Sequence, residues 1–420
     1  MLTTHGCIRY KTLEFNFNLY NLRGVLSKGR PLKKQIIGES YMKTRITELF
    51  GIKHPIVLSG MSWISIPKMV AAVSNAGGLG ILATGPFDAA QTRDAIREIK
   101  SLTNKPFGTN ATLLFPGASD NARVALEEKV PVINFSLGKG DWIVKSAHEY
   151  GGKVVATVVN NKHAKRAQDY GCDALLVTGH EAAAHGGDAT TFCLIPSIAS
   201  AVNIPLIAAG GIADGRGLAA AIALGADAAA MGTRLMATQE SPLHENYKQL
   251  SIQKDVYDTV YSTRFDGLGC RVLDTKAARD AIRQGLNIRK LLEALPNSVG
   301  IANQLHLPYF KLFLGVMASG WKNARQLAFM ANAFKAIRIA TEDGDIKKGV
   351  LPVGQATGLM RDIPTVAEAI ERTVKEAEGI AINLARMSNG SPKVYAAPNP
   401  KPKAAKAPRK PVSRKKPKEL

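Results

Sequence analysis

Cysteine is scarce in this chain. There are four in 420 residues (Cys7, Cys172, Cys193 and Cys270), far apart and in no CxxC or metal-ligand spacing. That excludes a disulfide framework and fits a reducing cytosol. Long hydrophobic runs are also missing. The nearest candidate, residues 205–232, is broken by Asp214, Arg216 and Asp227, so no segment offers the roughly 18 uninterrupted apolar residues of a membrane span. The N-terminus has no continuous apolar signal-peptide core. Acids are few, 34 against 55 Lys and Arg, for a formal net charge of +21.

That charge resembles a nucleic-acid signature until it is located. Of the +21, +9 falls in residues 391–420 and +5 in residues 1–42, which leaves +7 for everything between. The basicity therefore belongs to the ends and says little about the fold. The tail, 389–420, is rich in Pro and Lys and cannot build a core. It is expected to be disordered and to make at most weak, sequence-independent contact with polyanions. Residues 1–30 hold Arg9, Lys11, Arg23, Lys28 and Arg30 against Glu14, a bias that transit peptides share. The simpler reading is an N-terminal extension, 1–42, with regular structure starting near Met42 and a cytoplasmic location.

From His54 the chain acquires a rhythm. Short apolar runs, "HPIVLSGM", "GILATG", "FGTNATL", "VINFSLG", "KVVATVV", "ALLVTG", "PLIAAGG" and "AAAMGTRL", alternate with stretches of helical spacing. The runs are continuously apolar rather than alternating, as parallel strands covered on both faces are. Eight such units over about 180 residues predict a closed (β/α)₈ TIM barrel over 43–240. "GCDALL" and "GADAAA" each place a Gly between a helix end and a strand start, where a left-handed residue closes the helix. Residues 241–350 read as a helical cap or insertion, and 351–388 as the segment closing the barrel.

In such a barrel the chemistry sits at the C-terminal strand ends. These are marked by Gly60, Met61 and Ser62, by Asn110, by Gly210 and Gly211, and by Gly232 and Thr233. The last two pairs lie on consecutive strands, where backbone N–H groups converge on phosphate. With no P-loop or GxGxxG spacing, they predict one terminal phosphate rather than a pyrophosphate. The loop "GHEAAAHGGDA" (179–189) follows strand six. His180 and His185 lack a third ligand nearby, so no metal is expected. His185, among small residues at the mouth, suits a general acid or base. Glu181 reads either as a loop anchor or as an acceptor for a ligand. Cys193 lies just past the loop, with nothing to support a nucleophilic role.

"GIKHPIVLSGMSWISIPKMVAAVSNAGGLG", "FGTNATLLFP", "GHEAAAHGG", "PLIAAGGIADGRGLAAAIALGADAAAMGTRLMATQES" and "VGQATGLMRDIP" together resemble the nitronate monooxygenase family, once called 2-nitropropane dioxygenases, over residues 43–388. The resemblance implies FMN at the mouth of a TIM barrel, no metal, and oxidation of alkyl nitronates by O₂. It places Gly60, Met61 and Ser62 by the isoalloxazine and Asn110 in hydrogen bonding to the ring. Thr178, Ala183 and Gly210 fall among the cofactor contacts, and Gly211, Ala230, Met231, Gly232 and Thr233 around the phosphate. His185 matches the family's active-site histidine.

The chain also departs from the family. Ala183 and Ala184 stand where the loop usually has a Gly pair, a costly change if either needs positive φ. Thr178 replaces a common Gln, and Gly60 a frequent Pro. A second reading on the same scaffold is an FMN-dependent NAD(P)H enoyl-acyl-carrier-protein reductase. A third, of another class, is polyanion binding through the tail.

Overall fold

The computed structural model describes residues 42–388, apart from several positions between 305 and 319. The expectations for the N-terminal extension and the basic tail fall outside the described residues. The described residues from Met42 to Ser388 belong to one compact unit.

Eight parallel strands close into a barrel in sequence order, with β1 (Ile56–Leu58) paired to both β2 (Leu79–Ala83) and β8 (Ala228–Ala230). Between these run β3 (Phe107–Thr112), β4 (Val132–Ser136), β5 (Lys153–Val158), β6 (Ala174–Thr178) and β7 (Leu206–Ala209). Inward residues Val57, Leu79, Ile81, Val132, Val155, Leu176 and Ile207 fill the interior, and Ile46 and Phe50 of α1 (Arg45–Phe50) join that cluster. The outward residues form a larger apolar layer against the helices. Burial on both faces is why the strands read as unbroken apolar runs.

The ring of helices is α2 (Pro67–Asn75), α3 (Ala89–Leu102), α4 (Ala118–Glu127), α5 (Asp141–His148), α6 (Asn161–Asp169), α7 (Thr191–Ala199) and α8 (Gly215–Ala223). Gly171 and Gly225 close α6 and α8 at φ 86 and 104, as the Gly-X-Asp spacing predicts. The Asp two residues later has its own task. Asp173 accepts the Val154 N–H at 2.8 Å and Asp227 the Leu206 N–H at 3.0 Å, so each fastens the start of a neighbouring strand. Arg45 clamps Asp227 with two bonds of 2.7 Å.

The run "AAAMGTRL" is not one strand. β8 stops at Ala230, and α9 (Gly232–Met236) begins two residues later. Small apolar residues suit either state, so the change of backbone there leaves no mark in the pattern. The segment after α9 carries α10 (Glu245–Ile252), then an antiparallel hairpin of β9 (Thr259–Ser262) and β10 (Cys270–Leu273), then α11 (Lys276–Gln284), α12 (Ile288–Gln304) and α13 (Trp321–Arg338). The cap is therefore not wholly helical. Two four-residue strands are too short to show a period of two. Finally α14 (Val366–Ser388) packs against α8 and α2, in the place of the eighth helix, burying Val366, Ala369, Ile370, Val374 and Ala377. Gly215 admits that crossing, since a Cβ there would stand 2.5 Å from the backbone of Thr373 and Ala377.

Candidate functional site

A cavity of about 630 Å³ opens at the C-terminal mouth of the barrel. Its lining includes Gly60, Met61, Ser62, Asn110, Thr178, Ala183, His185, Gly210, Gly211, Ala230, Gly232 and Thr233, which are all the predicted site positions except Met231. The Met231 N–H donates to Val57 O at 2.9 Å, and its side chain is buried in the outer core. Both are occupied in holding β8 to β1 and the helices.

One corner is built from the ends of β7 and β8. Gly210 and Gly211 take φ 117 and 74, a region only Gly enters freely. A Cβ on Gly210 would stand 2.7 Å from Thr191 Oγ1. Gly232 opens α9, whose first turn receives no side-chain cap, and Gly232 and Thr233 both line the corner. Thr233 is buried, and its Oγ1 accepts the Gly354 N–H at 3.0 Å. The hydroxyl proton remains for an anion. A single phosphate matches this donor set.

The interior beside it is polar. Asn110 Nδ2 donates to Asn134 Oδ1 at 2.5 Å, and Asn134 Nδ2 donates to Thr157 Oγ1 and Val155 O, each at 3.0 Å. This ladder crosses β3, β4 and β5 and sets the amide plane of Asn110 before any ligand arrives. Asn134, its buried centre, has no sequence signal beyond a polar residue inside an apolar strand. Gly60 lets Asn110 come close, since a Cβ there would meet the Asn110 Cβ at 2.6 Å.

The 179–189 loop is held from three sides. The Glu181 carboxylate accepts the Thr191 N–H (2.8 Å) and hydroxyl (2.9 Å), capping α7. Of its two possible roles, the structure shows the anchor. Glu181 O accepts the Gln355 N–H at 2.9 Å. Ala184 exchanges backbone bonds with Arg271 of β10, 3.2 and 3.1 Å, and takes φ 52. Ala184 is thus the position of the pair that occupies the left-handed region, and Ala183 is not.

The two histidines separate cleanly. His180 Nδ1 bonds Gly187 O at 3.0 Å and its ring rests against Tyr261, away from the cavity lining. His185 lines the cavity, with Nε2 at 2.6 Å from Asp266 Oδ2. A carboxylate on Nε2 places the ring proton there and leaves the Nδ1 lone pair available. Asp266 is itself held. Its Oδ1 accepts the Leu268 N–H at 3.0 Å, and its carbonyl accepts Gln326 Nε2 at 2.8 Å. It sits in the turn between β9 and β10, 81 positions from His185, where no local spacing could reveal it. The only hint is its place before Gly267, which turns at φ 87 and leaves room for Gln326.

Cys270 adds a thiol to the same group. Ligand atoms of His185, Asp266 and Cys270 lie within 4.8 Å of one another, so the hairpin brings partners that the loop's own spacing lacks. Burial, followed by the neighbouring Asp266, pushes the Cys270 thiol well up, which makes it a poor nucleophile. Cys193 is exposed and off the cavity. Opposite stands an aromatic wall: Phe334 meets Trp63 and Phe115 edge-on, with centroids 5.7 and 5.2 Å apart.

Comparison with known proteins adds four findings. The family model described as nitronate monooxygenase matches residues 43–376. A curated protein of Rhodococcus jostii (strain RHA1), named (3aS,4S,5R,7aS)-5-hydroxy-7a-methyl-1-oxo-octahydro-1H-indene-4-carboxyl-CoA dehydrogenase, is 36% identical over 341 residues, covering 80% of this chain and 96% of its own. The solved structure of FabK from Thermotoga maritima superposes with a TM-score of 0.70 at 36% identity, over 82% of this chain and 99% of that one. A probable nitronate monooxygenase of Staphylococcus aureus (strain MSSA476) is 30% identical over 280 residues, 56% of this chain and 79% of its own.

Proposed function

The chain belongs to the nitronate monooxygenase family of oxidoreductases, and from that premise we propose that it is an FMN-dependent enzyme acting on an acyl thioester. The phosphate corner of Gly210, Gly211, Gly232 and Thr233 fits one terminal phosphate. The mouth beside Gly60, Met61, Ser62, Asn110, Thr178 and Ala183 is lined by groups that leave room for a flat ring. Bound there, FMN would supply hydride transfer.

The proton chemistry belongs to His185. The carbon next to a thioester carbonyl gives up or takes a proton as a hydride moves at the neighbouring carbon, and the carbon next to a nitro group gives up a proton to form the nitronate. His185 Nδ1 would exchange that proton, and the bond from Nε2 to Asp266 supports this reading by holding the ring. Asn134 and Thr157 keep Asn110 in one orientation, and the Trp63, Phe115 and Phe334 wall excludes water from an apolar acyl group.

The observation that carries the thioester reading is the extent of the cavity. Its lining takes in the aromatic residues Trp63, Phe115 and Phe334 and also Lys139 and Arg166, besides the phosphate corner and His185. A nitroalkane of a few heavy atoms uses none of that surface. The Rhodococcus relative, named for a CoA thioester and matched over nearly its whole length, agrees. Nitronate oxidation by O₂ is the second reading, favoured by the family match and the Staphylococcus relative.

The test uses the purified yellow holoprotein. NADPH should bleach it anaerobically, and crotonyl-CoA should restore the colour and turn over, with turnover lost in His185→Ala while FMN stays bound. Oxygen uptake with propionate 3-nitronate, and no reaction with any thioester, would replace this reading with the second. A protein unable to bind FMN would overturn both.

A further inference from the structure

The cavity lining extends from the strand ends to the β4–α5 loop and to α6. There it is lined by Lys139 of the β4–α5 loop and by His163 and Arg166 of α6, with an apolar floor that includes Phe135, Val158 and Ala167 of the layer between strands and helices. His163 and Arg166 are three apart and share a face of the helix. All three residues are exposed. Among the described residues, none of their side chains has an acidic partner.

Other basic side chains of the molecule do converge on acids. Arg93, Arg97 and Lys100 converge on Glu128, Arg216 on Asp214, and Arg234 on Asp362. The two acids lining the cavity are already engaged, Glu181 by Thr191 and Asp266 by His185. Helix α6 adds Lys162 and Lys165 against one acid, Asp169, and has no acid in its first turn. This end therefore holds more basic than acidic residues, Asp141 and Asp169 being the acids of these two segments, at the rim of the cavity that His185 also lines. The flavin phosphate is not the missing anion, because its donors lie at β7 and β8.

We propose that Lys139, His163 and Arg166 bind the phosphates of a phosphopantetheine carrier, so that the pantetheine arm lies along the apolar floor and delivers the thioester to His185. This rests on the thioester reading above, and it adds a site that the reaction itself does not require. Coenzyme A and the phosphopantetheine arm of an acyl carrier protein share the recognised chemistry.

The experiment compares one acyl group on three carriers: crotonyl-CoA, crotonyl-acyl carrier protein and crotonyl N-acetylcysteamine, which has no phosphate. In Lys139→Glu/Arg166→Glu holoenzyme, the ratio of KM for crotonyl-CoA to KM for the N-acetylcysteamine thioester should rise about ten-fold or more, as loss of charge-assisted phosphate contacts requires. In the unaltered enzyme, KM for crotonyl-CoA should rise with salt, while that for the phosphate-free thioester stays flat. A rise confined to the carrier-protein substrate assigns the source to the protein-bound arm. An unchanged ratio and no salt effect, with thioesters still turned over, would overturn the site and leave the thioester reading standing. If no thioester turns over, that reading has failed, and equilibrium binding of free CoA decides the site: binding weakened in the double variant upholds it, and no binding overturns it.

Discussion

At Ala184 the backbone stands at φ 52, where a Cβ is strained and Gly is not. Two hydrogen bonds to Arg271 impose that conformation, so the strain supports the geometry of His185 next to it. Ala184→Gly should therefore raise stability by about 1 kcal/mol in thermal or urea melts. Ala183→Gly, at a position without positive φ, should give no such gain. Asp266→Asn tests the other support of His185. It keeps the shape but loses the carboxylate that sets the ring tautomer, and it should slow turnover at least ten-fold with FMN binding unchanged. Sequence alone could say that replacing a Gly pair carries a cost. Which alanine bears it depends on the hairpin that pairs with the loop. Asp266 was beyond reach for the same reason, since its partner lies far away in the chain.

Between elements, the clearest electrostatic link is Glu128 at the end of α4, which receives Lys100, Arg93 and Arg97 from α3 at 2.9 to 3.1 Å. The Lys100 bond, helped by the two arginines and opposed by burial, lowers its carboxyl to about 2. Because the folded value lies below the unfolded one, the stabilisation is complete above about pH 4.5 and is lost as pH falls through about 2. Glu128→Gln should cost about 1 to 2 kcal/mol at neutral pH, less than the full shift because the cations are partly exposed. The difference from the unaltered protein should close in melts taken at progressively lower pH. Elements were legible where burial imposed a pattern: the strands, the helices of the ring and α14 follow from apolar spacing. β9, β10 and the short α9 did not, because four or five residues carry too little period to distinguish states.

At the scale of the whole molecule, the basic ends and the barrel separate in the sequence. Removing residues 389–420 should leave FMN binding and turnover intact and abolish only salt-sensitive retention on a polyanion such as heparin, measured by column elution. No helix among the described residues is long and apolar enough to cross a membrane. The sequence by itself determined the barrel and the strand ends that line the mouth cavity, and it singled out His185 and the Gly210, Gly211, Gly232 and Thr233 corner as candidates, because periodicity and small residues at strand ends are local properties. The tertiary structure decided what joins that histidine in the cavity lining: Asp266 and Cys270 from the hairpin, the Trp63, Phe115 and Phe334 wall, and Lys139 and Arg166. Those groups come from segments scattered over more than two hundred residues, and a contact between distant segments is made by closure of the barrel and packing of the cap, which no local pattern encodes.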